Sequence, residues 1–183
     1  MPASYPHQTV YLGQRGSFDT FNEASLYKAG ELGQRAITAE NLQYQLVQLD
    51  SGVTANTGPG VAAANQLAYW KDKSKYLVTN DGLQAVGGQG ATSEFRNEVA
   101  GIIRNAATSA YYIWVLQKGR NINVKSASGT YVAGEWSTPN TGTAADSTRV
   151  AAGTAPGVRP LGIVAGAKSG ANTPVDLDIP GIE

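Results

Sequence analysis

Asp176 and Asp178 stand two residues apart in the run Val175-Asp176-Leu177-Asp178-Ile179. Positions i and i+2 of an extended strand share a face, so the two carboxylates point the same way. Carboxylates paired like this can ligate a divalent cation or divide the acid and base roles of glycoside cleavage. The same alternation is also what any strand with one solvated face requires, and that is the commoner origin of the pattern. A second candidate is Gly162-Ile-Val-Ala-Gly-Ala-Lys168-Ser169, one residue away from a phosphate-binding loop. Ala167 stands where that loop needs glycine. The following Gly170-Ala-Asn-Thr-Pro174 cannot open the helix on whose N-terminus a phosphate would rest. A strand followed by a turn explains the segment better. A third candidate is the aromatic set Tyr69, Trp70, Tyr76, Tyr111, Tyr112, Trp114, Tyr131 and Trp136, which could stack on sugar rings or bases. Burial in a core or an interface is the default for such residues.

Composition removes most other chemistry. The chain has no cysteine, so a disulfide scaffold, a thiolate metal site and a thiol nucleophile are excluded. A histidine-based triad or metal site within one chain would have to use His7, the only histidine, close to the N-terminus. No catalytic residue, metal or cofactor is therefore expected. Lys+Arg and Asp+Glu are equal at 14 each, which gives no electrostatic attraction to nucleic acid or an anionic membrane. No apolar run approaches the roughly 18 residues of a membrane span. The start Met-Pro-Ala-Ser-Tyr-Pro-His-Gln lacks the basic region and apolar core of a signal peptide. Charged residues make up 15% of the chain, against about 25% in typical domains, and 22 of the 183 residues are glycine. Such a surface, neutral and rich in turns, suits extracellular or particle-bound β proteins.

The elements needed to position these residues read as strands. Tyr111 to Lys125 is the densest aromatic and β-branched run. Tyr112, Trp114 and Leu116 fall on one side and Tyr111, Ile113 and Val115 on the other, so both faces need covering, by core or by a partner. Lys118-Gly119-Arg120-Asn121 offers turn chemistry, which predicts a central β-hairpin returning through Ile122 and Val124. Residues Tyr44 to Leu49 and Leu67 to Trp70 predict strands, and Lys71 to Ser74 turns the latter into Tyr76 to Thr79. Asn80-Asp81-Gly82 is a further turn signal. Thr54 to Ala64 reads as a loop. Phe95 to Arg104 fits a helical stripe or a strand; Gly101 disfavours the helix by about 1 kcal/mol. Tyr131 to Ala133 predicts a short strand, Ser137 to Pro160 a long loop, and Leu161 to Ala165 and Val175 to Ile179 the last strands.

The expected fold is mainly β: a β-barrel or β-sandwich-like domain of antiparallel strands, residues 41–183, preceded by an extended N-terminal arm, residues 1–40. In the arm, Tyr5, Tyr11, Phe18, Phe21 and Tyr27 are spaced by glycines and polar residues and cannot build a core alone. They either pack back on the domain or lie on another subunit. The two apolar faces of the central strand point to a homo-oligomer, for which closed cyclic symmetry, most simply a trimer, is the usual solution.

Several short motifs occur in a telling order: Asn97-Glu-Val-Ala-Gly-Ile-Ile103, Tyr112-Ile-Trp-Val-Leu-Gln-Lys-Gly119, Pro160-Leu-Gly-Ile-Val-Ala165 and a closing Val175-Asp-Leu177. This order resembles the small head-decoration (cement) proteins of tailed bacteriophages. In that family a strand reading Ala-Gly-Ile precedes one ending in Gln-x-Gly, and a late strand reading Gly-x-Ala closes a barrel-like fold. Gly30-Glu-Leu-Gly-Gln-Arg35 is likewise similar to phage virion proteins. The resemblance covers roughly residues 30–179. It implies a non-enzymatic virion protein that binds the major capsid protein on the capsid exterior, often as a trimer. The arm aromatics are then the candidate capsid or subunit contacts. A tail or fibre-base adhesin that binds host glycan is the alternative, and a carboxylate glycan hydrolase the third reading.

Overall fold

The computed structural model describes residues 9–12, 31–51, 54–55, 58–59, 61–81, 98–140 and 146–180. The chain is mainly β, as its composition and periodicity predict. Strands run as β1 (Thr9–Leu12), β2 (Arg35–Thr38), β3 (Gln43–Leu49), β4 (Thr54–Ala55), β5 (Gly58–Pro59), β6 (Val61–Ala62), β7 (Gln66–Asp72) and β8 (Leu77–Thr79). They continue as β9 (Val99–Ile103), β10 (Ala107–Thr108), β11 (Tyr112–Lys125), β12 (Trp136–Pro139), β13 (Ser147–Val150), β14 (Gly162–Val164) and β15 (Asn172–Asp178).

One sheet has eleven of these strands in the order β1-β2-β3-β8-β7-β9-β11-β15-β14-β12-β13, and β3 also pairs with β11. That extra pairing closes β3, β8, β7, β9 and β11 into a ring, so none of the five has an unpaired edge along its whole length. The pairs are antiparallel except β1 with β2 and β3 with β8. Beyond the ring the sheet continues through β15, β14, β12 and β13 as a wing.

Two apolar clusters hold the fold, one on each face of β11. Trp114 and Leu116 join Tyr44, Leu46, Leu67, Tyr69, Ile102, Val175 and Leu177 in the first, with Tyr112 packed on its margin. Ile113 and Val115 join Val47, Leu49, Trp70, Val78 and Ile103 in the second, with Tyr111 at its margin. Both faces of the central strand are thus covered within one chain, and the argument that they demand a second subunit falls away. Ala62 of β6 and Ala107 of β10 also belong to the second cluster, so the two-stranded sheet that these strands form covers that side.

The hairpin expected at Lys118–Asn121 is not formed. β11 runs unbroken through these residues, and the turn chemistry serves a bulge instead. Gly119 pairs with Leu177 and Ile122 with Val175, so Arg120 and Asn121 together oppose Asp176. Asn121 takes the left-handed conformation at φ 54°, which asparagine tolerates better than most residues. A first irregularity lies between Leu116 and Lys118 against β3. Each bulge reverses the in–out alternation, and two of them restore it. Gly119 is accordingly buried between exposed Lys118 and Arg120, while Ile122 and Val124 return to the cluster that holds Trp114 and Leu116.

The β7–β8 hairpin forms as expected, around a 3-10 turn at Lys73–Lys75. Asp72 caps this turn: its Oδ1 accepts from Ser74 N at 3.0 Å and Ser74 Oγ at 2.6 Å. The ambiguous segment before Arg104 is strand β9, and Gly101 has a steric reason there. A Cβ would lie 2.9 Å from both Leu116 O and Val115 Cβ on β11.

Three other expectations are corrected. Tyr131 to Ala133 is loop; the strand starts later, at Trp136, and occupies Ser137–Pro139. The expected long loop from Ser137 to Pro160 therefore contains β12 and β13, paired with each other from Trp136↔Val150 to Pro139↔Ser147. The expected Thr54–Ala64 loop carries the short pairs of β4 with β5 and β6 with β10. β2 pairs with β3 and buries Ala36 at 1% exposure.

Candidate functional site

The two carboxylates of β15 do share an exposed face, and each has a local task. Asp176 Oδ1 accepts from the Asn121 backbone N–H at 2.9 Å. The bulge leaves that N–H without a ladder partner, and Asp176 supplies one. Asp178 Oδ1 lies 3.3 Å from Lys118 Nζ, its cross-strand partner. Both side chains are well exposed, so the pair contributes at most a fraction of a kcal/mol. Among the described residues no group of three or more His, Cys, Asp or Glu side chains is placed to hold a metal ion.

The bulge opens a cleft. Its walls are the β2–β3 turn, with Glu40 and Asn41; the bulged part of β11, with Lys118 and Arg120; and β15, with Asp176 and Asp178. The volume is about 670 Å³, within the ~300–1,000 Å³ range of small-molecule sites. Asn41 sits at φ 61° in the turn, closed by its N–H donating to Thr38 O at 2.9 Å. Gly119 lies beneath, where a Cβ would come within 2.5 Å of Leu42 Cδ2. The Lys118–Asp178 pair also borders a second, smaller hollow of about 210 Å³ toward Arg35 and Pro180. Charges of both signs line the larger cleft, so it carries no strong field of either kind.

The failed phosphate loop is structural. Gly162 starts β14 where the chain passes so close to β15 that a Cβ would meet Asp176 O at 1.9 Å. Lys168 Nζ donates to Ser126 O at 3.0 Å and to Ala127 O, and lies 5.6 Å from the centre of the Tyr131 ring. It ties the end of β11 to the β14–β15 connection. The Tyr131 hydroxyl stands 3.2 Å from Ser147 O, and burial pushes its pKa above the usual tyrosine value.

The aromatic set is dispersed rather than gathered into a platform. Tyr69, Trp70, Trp114 and Tyr131 are buried, Trp70 with Tyr76 edge-on at 6.3 Å. Trp136, half-buried on β12, faces outward beside Ile163. Of the candidate contacts in the arm, Tyr11 lies in β1 by its backbone; Tyr5, Phe18, Phe21 and Tyr27 lie outside the described residues. Arg120, Asn41 and Glu40 were not singled out by the sequence. The readable signal for them was glycine and asparagine inside a strand-forming run, which marks a bulge as well as a turn. Compared with known proteins, the chain matches no family model, no curated protein and no solved structure.

Proposed function

We propose that the chain is a structural virion protein that binds the outside of a bacteriophage capsid and stabilises it, with the major capsid protein as its partner. It has no catalytic role in this reading and acts as a homo-oligomer, most simply a trimer, as the resemblance to head-decoration proteins implies.

One observation carries the reading. Three short motifs behind the resemblance fall on strands, and Gly101, Gly119 and Gly162 within them each answer a steric demand of the fold. Ala100-Gly101-Ile102 lies in β9, Gln117-Lys118-Gly119 in β11 and Gly162-Ile163-Val164 in β14. A Cβ at Gly101 would press on β11, one at Gly119 on Leu42, and one at Gly162 on the β15 backbone. The motifs therefore mark places where neighbouring strands touch, which is what a shared barrel architecture would retain. Gln117, buried at 5% exposure, donates to Gln45 Oε1 at 2.7 Å and Ala100 O at 3.0 Å. It joins three strands of the ring, a fourth motif residue with a physical task.

The test is co-sedimentation of the purified chain with capsids lacking it, followed by thermal challenge of the particles. Saturable binding with a raised disruption temperature is expected. A chain that stays in the supernatant across capsids of several tailed phages would overturn the proposal. Light scattering of the free chain at micromolar concentration reads the oligomer; a monomer both free and on capsids would remove the trimer.

A further inference from the structure

The wing carries an outward row of side chains that leads into the bulge cleft. Trp136 of β12 pairs with Val150 of β13 on one side and Ile163 of β14 on the other. Ile163 in turn pairs with Asp176 of β15. Directly paired residues share a sheet face, so Val150, Trp136, Ile163 and Asp176 stand side by side across four strands. At about 4.8 Å per strand step, Trp136 and Asp176 are roughly 10 Å apart. Ile163 is 43% exposed, one of two large aliphatics so exposed among the described residues. The other, Val132 at 56%, lies in the loop just ahead of Trp136.

The row is held in place from behind. Glu135, 7% exposed, accepts from Arg149 Nη1 at 2.7 Å and from Val132 N at 3.0 Å. Backbone bonds Gly134 N to Val164 O and Val164 N to Glu135 O, at 2.9 and 2.8 Å, pin the start of β12 to β14. Trp136 is thus fixed at its backbone while its ring stays partly open to solvent. Asp176 belongs to the row and to the cleft at once. An aromatic and aliphatic strip therefore runs without a break into a polar hollow that offers carboxylates, an amide and two cations.

Such a surface fits a chain of sugar rings. A pyranose presents an apolar C–H face, which stacks on tryptophan and isoleucine, and an edge of hydroxyls. Each hydroxyl both donates and accepts, so carboxylates and cations of mixed sign satisfy it where a charged ligand would meet repulsion from one set. A cleft of about 670 Å³ with the roughly 10 Å row beside it exceeds the reach of a single ring. We propose that the Trp136–Ile163 strip and the cleft of Glu40, Asn41, Lys118, Arg120, Asp176 and Asp178 form one binding site for a neutral oligosaccharide. This site does not depend on capsid attachment, and it would give a decorated particle an affinity for a glycan-coated surface.

Tryptophan fluorescence reads the proposal directly. The chain has three tryptophans, and Trp70 and Trp114 are 2% and 7% exposed, so a ligand stacking on Trp136 alters the emission of the one accessible indole. The full chain is titrated with maltohexaose, cellohexaose and chitohexaose. A saturable change with at least one of them is expected, weakened by about tenfold in Trp136→Ala. Trp136→Phe should keep most of the affinity, read by calorimetry, and guards against a folding defect in the alanine variant. Arg120→Ala, at an exposed bulge position, should weaken binding while leaving the melting temperature unchanged. No emission change with any of the three hexaoses overturns the proposal, as does unchanged affinity in both Trp136→Ala and Arg120→Ala. Loss of capsid co-sedimentation in Trp136→Ala, without any sugar response, also overturns it and makes the row a protein contact.

Discussion

At the scale of single residues, glycines show most clearly how contact geometry dictates sequence. Gly162 and Gly119 look alike in sequence, yet their neighbours differ in kind. At Gly162 an added Cβ meets backbone, Asp176 O at 1.9 Å; at Gly119 it meets the tip of a side chain, Leu42 Cδ2 at 2.5 Å. Backbone cannot yield without parting β14 from β15, whereas Leu42 can turn. Gly162→Ala is therefore expected to destabilise by about 3 kcal/mol and Gly119→Ala by about 1 kcal/mol. At roughly 2–4 °C per kcal/mol for a chain of this size, thermal melting separates the two. Gly157→Ala, with open space around it, should stay within about 0.5 kcal/mol of the parent. Tyr131, its pKa raised by burial, makes a second residue-scale prediction. Tyr131 is neutral in the fold, and its folded pKa lies above the ordinary 10.0 of the unfolded chain. A raised folded value means the contribution is complete below pH ~10 and is lost as pH climbs through the folded pKa. Alkaline melts should show this decline, and Tyr131→Phe should flatten it.

At the scale of elements, the β11 bulge decides more than any other feature. The left-handed Asn121 and the Asp176 cap form one device. Asn121→Gly should be nearly neutral, while Asn121→Val should cost about 1–2 kcal/mol because a β-branched side chain resists that conformation. Asp176→Ala should cost about 1 kcal/mol by orphaning the Asn121 N–H. Chemical denaturation of the three variants checks the order. The same bulge marks a limit of sequence reading. Gly119 and Asn121 are the residues that a hairpin turn would use, and nothing local distinguishes a turn from a bulge; the deciding partner, β15, lies some fifty residues later. β15 was legible because Val175, Leu177 and Ile179 alternate with Asp176 and Asp178, and β7 and β8 because aliphatic and aromatic residues gather on either side of a turn signal. β9 was not decided, since Val99, Ile102 and Ile103 fit a helical stripe as well as a strand. β12 and β13 were not legible, because what they bury is Ser137, Thr138 and Ser147, at 0–1% exposure. Small hydroxyl side chains, of which Ser147 is bonded into a network with Ser126 and Thr173, leave no apolar period to read. Asp176 and Asp178 of the cleft were visible from their spacing; Glu40 and the cations Lys118 and Arg120 were not, since the cleft that gathers them follows from the bulge.

At the scale of the whole molecule, the boundary of the arm can be tested by cutting. β2 hydrogen-bonds to β3 and buries Ala36. Removing residues 1–30 spares that pairing and should leave strand content by circular dichroism nearly unchanged, while weakening capsid attachment under the proposed function. Removing residues 1–40 takes β2 away and should lower the melting temperature clearly below that of the shorter truncation. Equal melting of the two truncations would place β2 outside the stable unit. Undiminished capsid binding by the 1–30 deletion would move the contact surface from the arm aromatics to the domain.

The closed ring also sets how this chain must fold. Its last seam joins Val47 to Ile113, 66 positions apart in sequence, and without cysteine no covalent link can hold the ends near each other meanwhile. Loop-closure entropy is spent before that seam returns any stabilisation. Refolding should accordingly take milliseconds to seconds, as in other domains dominated by distant pairings. Until β3 and β11 meet, both present unsatisfied edges to any neighbouring chain. Dilute conditions should favour recovery of the native protein, and crowded ones should divert it into aggregates through these two strands.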